Sequence, residues 1–391
     1  MKHKLLIFLF YFINLFYVSN TTNIPSSTTK NLKKVEIQTE TYDRLVYFSK
    51  MCAIANCISY NQLKENKTLA EGGCPQHLKF CSDINANKAI HDISIETVIL
   101  AKSHELGTGY IAIDHMRQVI ALVFRGSSTR WDWFHDLRLN PSRYQPFSSD
   151  IYDEKVRKSE ISECVDCKLH AGFSKFLDTL HGKFMDKLDN IFQKHSDYKL
   201  VVAGHSLGAA VAVLAGIEFK LRGFEPMIIT YAQPKMFNSG MIEWINELFE
   251  SENLDYINRR NGVLNFTSGY YRIVHKNDFI TGLPSYFRHA GLQINIEKIM
   301  LPHLIDDVEY NGLGYYYDEK DKSVLKQKEN NVMLEFFKSD EFDRIALANE
   351  KKEEQENNQV EFQTWERLYK DWLHLYEHRH YFVQVNECDY I

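Results

Sequence analysis

The sequence lacks three features, each of which would have pointed to a particular class of protein. It has no excess of positive charge, because 46 Lys and Arg against 52 Asp and Glu give a net charge of −6, so nothing favours a nucleic-acid partner. No stretch after residue 20 approaches the roughly 18 consecutive apolar residues of a membrane-spanning helix. We also find no internal repeat. With 44% hydrophobic and 25% charged residues, the 391-residue chain is typical of a globular protein.

The N-terminal residues 1–20 have the pattern of a secretory signal peptide. A basic start is followed by an apolar run over 5–18, which is too short for a comfortable membrane span. An uncleaved anchor is the competing interpretation. Residues 21–39 are rich in Ser and Thr and predict a flexible segment, and residues 40–391 predict a single domain. We therefore expect a secreted, extracellular protein with no transmembrane segment once the signal is removed.

The cysteines and two glycosylation motifs agree with an oxidising compartment. The seven cysteines are Cys52, Cys57, Cys74, Cys81, Cys164, Cys167 and Cys388. A zinc interpretation of Cys164-Val-Asp-Cys167 exists, but no second pair has zinc-finger spacing. We expect disulfides with one thiol left over. Asn66 and Asn265 each begin an N-x-Thr acceptor for N-glycosylation, which is meaningful only in a secreted chain.

The segment Gly204-His-Ser-Leu-Gly208 fits the pattern G-x-S-x-G, and the chain is organised around it. An apolar run over 200–203 predicts a strand before it, and small residues over 209–216 predict a helix after it. This is the context of a nucleophile elbow, a strained turn that exposes the hydroxyl of Ser206. Gly204 and Gly208 are needed because side chains would clash across the turn. The competing interpretation is a surface serine at a glycine-rich turn.

Strands alternate with helices over most of the chain. The sequence predicts strands at 95–101, 109–114, 118–124, 226–231, 270–276 and 291–296, and helices at 40–60 and 169–192. This alternation predicts an α/β sheet that is parallel around its centre. Residues 303–375 break the rhythm and are charged, and their later part is predicted to be helical.

A serine hydroxyl is a weak nucleophile, so it needs a histidine to take its proton and an acid to orient that histidine. In this kind of fold the acid follows the serine in the chain, and the histidine comes last. Asp278 follows the predicted strand 270–276, which puts it on the edge of the sheet where the elbow lies, although an aspartate that caps a turn is a simpler interpretation. Position alone does not choose among the later histidines, which are His289, His303, His374, His378 and His380.

Two N–H groups are needed to stabilise the oxyanion that forms during ester hydrolysis. The backbone N–H of Leu207 is one, because Leu207 follows the nucleophile. Ser127, after the predicted strand 118–124, is well placed to supply the other. The chemistry is acyl transfer, so we expect neither a metal nor a cofactor.

Five motifs in order resemble those of the fungal class 3 lipases, a family of secreted triacylglycerol lipases from filamentous fungi and yeasts. They are Val123-Phe-Arg-Gly-Ser-Ser128, His170-x-Gly172-Phe173, Gly204-His-Ser-Leu-Gly208, Asn277-Asp278-x-Ile280-x-x-Leu283-Pro284 and His289-Ala-Gly291. The resemblance covers about residues 40–300 and the C-terminal end. It implies an α/β-hydrolase fold, in which a mostly parallel central sheet is flanked by helices and a helical lid covers the site.

The resemblance also selects a histidine. The catalytic histidine of the family lies in a His-x-x-Tyr-Phe segment, which His378-Arg-His-Tyr-Phe382 matches. His378 is therefore the implied base, with His380 as the runner-up, and the resemblance strengthens Asp278 as the acid. His289 matches a family position that is not the base, so we expect it to be structural.

The lid of the family is a short helix just after the oxyanion residue. In this chain that place is taken by a segment with three aromatic side chains, Trp131, Trp133 and Phe134. Tryptophan favours the boundary between lipid and water, so these side chains suit a lid that meets lipid when it opens. A structural helix with buried tryptophans is the competing interpretation.

The chain departs from the family pattern in three ways. The insertion at 303–375, expected to be a C-terminal helical insertion, lengthens the path to His378 and puts substrate preference in doubt. Ala209 replaces a frequent glycine after the elbow. The cysteine pattern gives no secure pairing, and we hypothesise that Cys388 ties the tail to the N-terminal helix at Cys52 or Cys57.

Together these patterns predict a secreted serine ester hydrolase, and within that class a triacylglycerol lipase that acts on a lipid ester at a lipid–water interface. A phospholipase A1 or an esterase for soluble substrates would use the same three residues, so both remain alternatives. A non-catalytic lipid-binding protein is disfavoured, because binding alone does not need a serine, an acid, a histidine and oxyanion donors in register.

Overall fold

The computed structural model describes residues 34–58, 63–85, 87–101, 107–126, 141–180, 185–313 and 376–390. Several sequence predictions lie outside the described residues: the signal peptide 1–20, the oxyanion candidate Ser127, the lid residues Trp131, Trp133 and Phe134, His374, and the part of the insertion from 314 to 375.

A nine-stranded mixed sheet forms the centre of the fold, in the order β1-β2-β3-β4-β7-β8-β9-β10-β11. Its strands are β1 (Lys67–Thr68), β2 (Ser94–Ile99), β3 (Gly109–Asp114), β4 (Val119–Phe124), β7 (Lys199–His205), β8 (Met227–Tyr231), β9 (Tyr270–His275), β10 (Leu292–Ile296) and β11 (Val308–Gly312). Two small antiparallel pairs are separate from it: β5 (Pro141–Arg143) with β6 (Lys168–His170), and β12 (His380–Tyr381) with β13 (Val383–Gln384).

The direction of the strands changes from the centre of the sheet to its edges. Strands β4, β7, β8, β9 and β10 are parallel to one another, whereas β1 to β4 and the pair β10–β11 are antiparallel. The prediction that the centre of the sheet is parallel is therefore confirmed. The description of the whole sheet as mostly parallel is too strong for the described residues, because the edge strands are antiparallel. The antiparallel strands lie at the edges, where a connection between neighbours does not require a crossover helix.

Helices pack on both faces of this sheet. They are α1 (Thr39–Asn56), α2 (Lys79–Ser82), α3 (Ser149–Arg157), α4 (Ala171–Leu180), α5 (Asp186–Lys194), α6 (Leu207–Leu221), α7 (Ser239–Leu248) and α8 (Ser251–Asn261). Shorter turns are a π-helical turn at Leu69–Gly73 and 3-10 helices at Phe279–Gly282, Ile305–Asp307 and Glu387–Tyr390. Among the described residues, no helix combines the length and the apolar character needed to cross a bilayer.

The sequence analysis misjudged several helical regions. The predicted helix 169–192 is wrong at its start, where strand β6 comes first, and two helices, α4 and α5, take its place. Helices α2, α3, α7 and α8 were not predicted. Helix α3 has no fully buried side chain, and the fully buried side chains of α8 are the polar residues Ser251, Asp255 and Asn258, so neither presents a fully buried apolar stripe.

Two apolar cores lie on opposite faces of the sheet, because successive side chains of a strand point to opposite sides. On β7, Val201 and Ala203 face the core that contains α1, while Leu200 and Val202 face the core that contains α4 and α6. Helix α6 is buried all round except at Lys220. The strand that leads to Ser206 is therefore held on both sides.

Residues before the predicted domain boundary at residue 40 also pack into the fold. Val35 and Ile37 are buried, and the backbone of Glu36 bonds to Gly262 O and to the N–H of Leu264. Residues 34–39 of the segment predicted to be flexible thus pack against the domain, because alternate apolar side chains of this extended stretch enter the core.

The insertion predicted at 303–375 begins with residues that belong to the sheet. After the 3-10 helix Ile305–Asp307, strand β11 pairs with β10 through Ile296 opposite Val308 and Ile294 opposite Tyr310. Val308 and Tyr310 are buried. The sequence analysis predicted no strand here, although apolar side chains alternate with polar ones as in a half-buried strand. The part of the insertion that was predicted to be helical lies outside the described residues.

The cysteines form three disulfides, Cys57–Cys388, Cys74–Cys81 and Cys164–Cys167, and leave Cys52 as a buried thiol. The predictions of one leftover thiol and of a bond from Cys388 to the N-terminal helix are both confirmed. The zinc interpretation of Cys164 and Cys167 is wrong, since these two cysteines bond to each other.

Candidate active site

The segment Gly204–Gly208 makes the sharp turn between β7 and α6. Ser206 has φ 57° and ψ −123°, a strained backbone for a residue with a side chain. A Cβ at Gly204 would lie 2.2 Å from Gly208 O, and one at Gly208 would lie 2.4 Å from Phe124 O. Neither position can hold a larger residue without moving the backbone, which is the reason that the sequence pattern requires glycine.

The structure brings together the three residues singled out in the sequence. Ser206 Oγ lies 3.0 Å from His378 Nε2, and His378 Nδ1 lies 3.0 Å from both carboxylate oxygens of Asp278. Ser206 and Asp278 are buried, and the side chain of His378 is 15% exposed. With a proton on Nδ1, His378 donates to the carboxylate and accepts the hydroxyl proton of Ser206 at Nε2.

The carboxylate of Asp278 is fully engaged. It lies just after β9, where Oδ1 accepts the N–H of Ile280 at 3.0 Å and Oδ2 accepts the hydroxyl of Tyr381 at 2.6 Å. Burial alone would raise the pKa of Asp278, but His378 and Tyr381 outweigh it and hold that pKa below its ordinary value. Asp278 is therefore ionised at neutral pH and can hold a positive charge on His378.

A second histidine, His205, supports the segment that carries His378. Its Nε2 donates to His378 O at 2.7 Å. Burial, together with the neighbouring His378, lowers the pKa of His205 to about 3. His205 is therefore neutral at ordinary pH and acts as a fixed hydrogen-bond donor.

The other described histidines after Asp278 have different partners. His380, the runner-up, donates from Nδ1 to Tyr376 O at 2.6 Å and stacks on the Tyr376 ring. His289 donates to Thr281 O at 2.7 Å, and His303 accepts the N–H of Phe382 at 3.1 Å. Among them, His378 alone bridges the serine and the aspartate.

One of the two predicted oxyanion donors lies in the described part of the chain. Leu207 is the first residue of α6, so its N–H is among those that have no partner within the helix. On the other side of Ser206 lies Gly126, the residue before Ser127, where a Cβ would be 3.6 Å from Ser206 Cβ.

Three buried residues beside the site were not predicted as functional. Asn56, at the end of α1, accepts the N–H of Gly126 at 3.3 Å and donates to Val385 O at 2.8 Å. Glu377 accepts hydrogen bonds from Asn277. Tyr381 was quoted only as part of a motif, and its fixed distance from His378 could have identified it. Asn56 and Glu377 carry no signal, because nothing in their neighbours tells a buried polar residue from an exposed one.

Both predicted glycosylation acceptors lie on the surface. Asn66 and Asn265 are exposed. The hydroxyl of Thr267 donates to Asn265 Oδ1 at 2.8 Å, and Thr68 caps the turn that follows Asn66.

Residues 121–287 match the pattern of the family Lipase (class 3). The chain is 40% identical over 347 residues to the candidate lipase LIH1 of Saccharomyces cerevisiae, covering 89% of this chain and 94% of that protein. The chain belongs to the class 3 lipases.

Comparisons with more distant relatives of this class 3 lipase support the same family assignment. It is 25% identical over 300 residues to the secreted mono- and diacylglycerol lipase 2 of Gibberella zeae, covering 72% of this chain and 68% of that one. Its fold is similar to that of the Lip2 lipase of Yarrowia lipolytica, with a TM-score of 0.55 and 22% identity over 72% of this chain and 88% of that one. The fold is thus the α/β-hydrolase fold expected from the sequence, and the class 3 lipase is a carboxylic ester hydrolase.

Proposed function

We propose that this class 3 lipase is a secreted triacylglycerol lipase that acts at lipid–water interfaces through Ser206, His378 and Asp278. The observation that carries the proposal is the unbroken hydrogen-bonded series from Ser206 Oγ through His378 to Asp278, with 3.0 Å at each step. Its starting point is a serine held on a strained turn, which is the geometry of a nucleophile elbow.

In the proposed reaction, Ser206 Oγ attacks the ester carbonyl carbon while His378 Nε2 takes the hydroxyl proton. His378 then gives this proton to the leaving alcohol, and the acyl group remains on Ser206. Water attacks the acyl-enzyme with the same assistance, which releases the fatty acid and restores the serine. Asp278 keeps the proton of His378 on Nδ1 and stabilises the imidazolium that forms in each step.

The developing oxyanion needs donors aimed at it from the start. We propose the backbone N–H groups of Leu207 and Ser127 for this role. The position of Leu207 at the start of α6 supports the first. The closeness of Gly126 to Ser206 supports the second, since Ser127 is the next residue in the chain.

Interfacial action and secretion rest on other observations. The aromatic residues Trp131, Trp133 and Phe134 follow the oxyanion candidate, where the family carries its lid. Three disulfides fit an oxidising compartment, and the Gibberella zeae relative is itself named as secreted. Glycans on Asn66 and Asn265 would agree with passage through the secretory pathway.

The names of several relatives favour a second candidate substrate class. The proteins of Gibberella zeae and Penicillium cyclopium are both named mono- and diacylglycerol lipases. Partial glycerides are therefore the main rival to triacylglycerols for this chain, ahead of the phospholipid and the soluble ester.

The proposal is tested by hydrolysis rates for tributyrin, triolein, diolein and monoolein, measured through the solubility limit, with Ser206→Ala as the control. We expect a jump in rate when droplets of triolein appear, and a loss of about 10⁴-fold or more in Ser206→Ala. Hydrolysis of the partial glycerides alone would support the second candidate. Saturation below the solubility limit would indicate an esterase, and full activity of Ser206→Ala would refute the serine mechanism.

A further inference from the structure

A buried carboxylate joins the two loops that carry the proposed acid and base. Glu377, which is 0% exposed, directly precedes His378 in the chain. One of its carboxylate oxygens accepts the backbone N–H of Asn277, and the other accepts the side-chain amide of Asn277 at 2.8 Å. Asn277 directly precedes Asp278. The pair Glu377–Asn277 therefore lies beside the pair His378–Asp278, as a second link between loops that are 100 residues apart in sequence.

Glu377 also contacts the strand that ends at the acid loop. Its backbone carbonyl lies 3.1 Å from Nδ1 of His275, the last residue of β9. One residue of the C-terminal segment thus holds three groups of the segment from His275 to Asn277: a ring nitrogen, a backbone N–H and a side-chain amide. Because the three contacts are made to different groups, they restrict both the position and the orientation of the C-terminal segment relative to the end of β9.

A buried carboxylate is a costly means of holding a loop unless its hydrogen bonds offset the loss of water. Bonds to a charged acceptor are stronger and shorter than those to a neutral one, and a two-oxygen contact restricts direction as well as distance. A strong contact that restricts direction is needed where a small displacement of a side chain changes the reaction rate. The reacting groups next to Glu377 are such a case, since a shift of about 1 Å in a catalytic group can cost about 100-fold in rate.

We propose that Glu377 is a positioning residue that sets the register between the loop of Asp278 and the segment of His378. This inference rests on the proposed function, in which these two residues are the acid and the base. In this proposal Glu377 makes no contact with substrate, because its side chain is fully buried. It acts through Asn277, by keeping His378 Nδ1 equidistant from the two oxygens of Asp278.

The test compares Glu377→Gln with a matched control, Glu218→Gln. Glutamine keeps the volume but replaces one acceptor oxygen with an N–H₂ group, which faces a donor. Glu218 is also 0% exposed and also accepts two N–H groups, those of Phe147 and Ser148 at 2.8 and 3.0 Å, but it lies near the far end of α6. Both variants lose the same kind of buried interaction, so both should show a similar fall in Tm.

The two variants should differ in catalysis on p-nitrophenyl butyrate, with active sites counted by an organophosphonate. We expect kcat of Glu377→Gln to fall about 10- to 100-fold with KM within about twofold, and kcat of Glu218→Gln to stay within about twofold of the unsubstituted enzyme. Asn277→Ala, which removes only the side-chain half of the contact, should give a smaller fall. Combined with Glu377→Gln, it should add little, because both substitutions break one link.

Equal kcat in Glu377→Gln and Glu218→Gln would overturn the inference and leave the proposed function standing if Ser206→Ala is inactive. Full activity of Ser206→Ala would instead overturn the proposed function. If Glu377→Gln does not fold, Asn277→Ala decides the matter, since an unchanged kcat in that variant would also contradict the positioning role.

Discussion

The hydroxyl of Tyr381 donates to Asp278 Oδ2 at 2.6 Å and accepts the backbone N–H of His275 at 3.0 Å. It thereby links the end of β9 to the carboxylate that faces His378. Burial raises the pKa of Tyr381, and the neighbouring Asp278 adds to this, so the hydroxyl keeps its proton and remains a donor. The orientation of Asp278 thus depends on Tyr381, which lies three positions after His378 in the chain.

Replacing Tyr381 with phenylalanine should keep the ring packing and remove this bond. A hydrogen bond to a charged group contributes about 1.5–3 kcal/mol, so we expect the free energy of unfolding to fall by that order and kcat to fall roughly tenfold. The pKa of Asp278 should rise, because one of the groups that lower it is lost. The measurements are urea unfolding and kcat on a soluble ester.

Tyr310→Phe is the control for this substitution. Tyr310 is another buried tyrosine that donates to a carboxylate, Asp255 Oδ1, at 2.9 Å, and its hydroxyl is not bonded to Ser206, His378 or Asp278. It should lower stability but leave kcat unchanged. A Tyr381→Phe enzyme with the kcat of the Tyr310→Phe enzyme would contradict the role given to Tyr381.

The elbow should tolerate no methyl group. In Gly204→Ala, the new Cβ would meet Gly208 O at 2.2 Å, so the backbone must shift, and we expect a loss of several kcal/mol in unfolding free energy together with loss of hydrolysis. Gly282→Ala offers the comparison, because nothing lies within 4 Å of its added Cβ. Thermal unfolding of both variants checks the expectation, and similar Tm values for the two would disprove it.

The Cys57–Cys388 disulfide should matter far more than Cys164–Cys167. The chain-entropy relation gives about 6 kcal/mol for closing a loop over 331 residues and about 2 kcal/mol over 3 residues. We expect the double Cys57→Ala and Cys388→Ala variant to lose both stability and activity, since Cys388 anchors the segment of His378. The double Cys164→Ala and Cys167→Ala variant should retain its kcat. Equal losses in guanidinium unfolding would speak against this ranking.

Stability should fall as the pH drops below about 6.5, because buried histidines must stay neutral. Burial lowers the pKa of His205 to about 3 and that of His303 to about 4. The unfolded chain, with an ordinary pKa of 6.5, takes up these protons first. The stabilisation is therefore complete above pH 6.5 and is lost progressively as the pH falls toward the folded values. At pH 5, each such histidine costs about 2 kcal/mol.

His205→Gln isolates one of these contributions, since glutamine can still donate to His378 O. Its free energy of unfolding should depend less steeply on pH between 4 and 6.5 than that of the unsubstituted protein, by close to one proton. Parallel curves for the two proteins would show that His205 is not the titrating group.

The sequence predicted the parts of the fold that have local signals. The strand before Ser206 and the need for two glycines follow from the local pattern, and the structure agrees with both. Chain order also singled out a serine, an acid and a later histidine, and the structure brings Ser206, Asp278 and His378 within hydrogen-bond distance of one another. The choice of His378 required the resemblance to a family, because five histidines follow Asp278 and chain order alone fits each of them.

Other features depend on tertiary contacts that no local pattern records. Helix α8 fully buries only Ser251, Asp255 and Asn258, which are polar, so it lacks the fully buried apolar stripe that a sequence pattern would record. Strand β11 was not predicted, although it pairs with β10. The hydrogen bonds of Asn56 and Glu377 form only when segments that are 70 to 329 residues apart meet.

The contacts of α1 also bear on how the enzyme folds. Arg44 donates to Phe266 O, Ser49 donates to Tyr381 O and Asn56 donates to Val385 O, at sequence separations of 222, 332 and 329 residues. A helix with such distant partners can form early but can dock only when the end of the chain arrives, and contacts of this range make folding slow. During refolding, helical circular dichroism should therefore return well before turnover does.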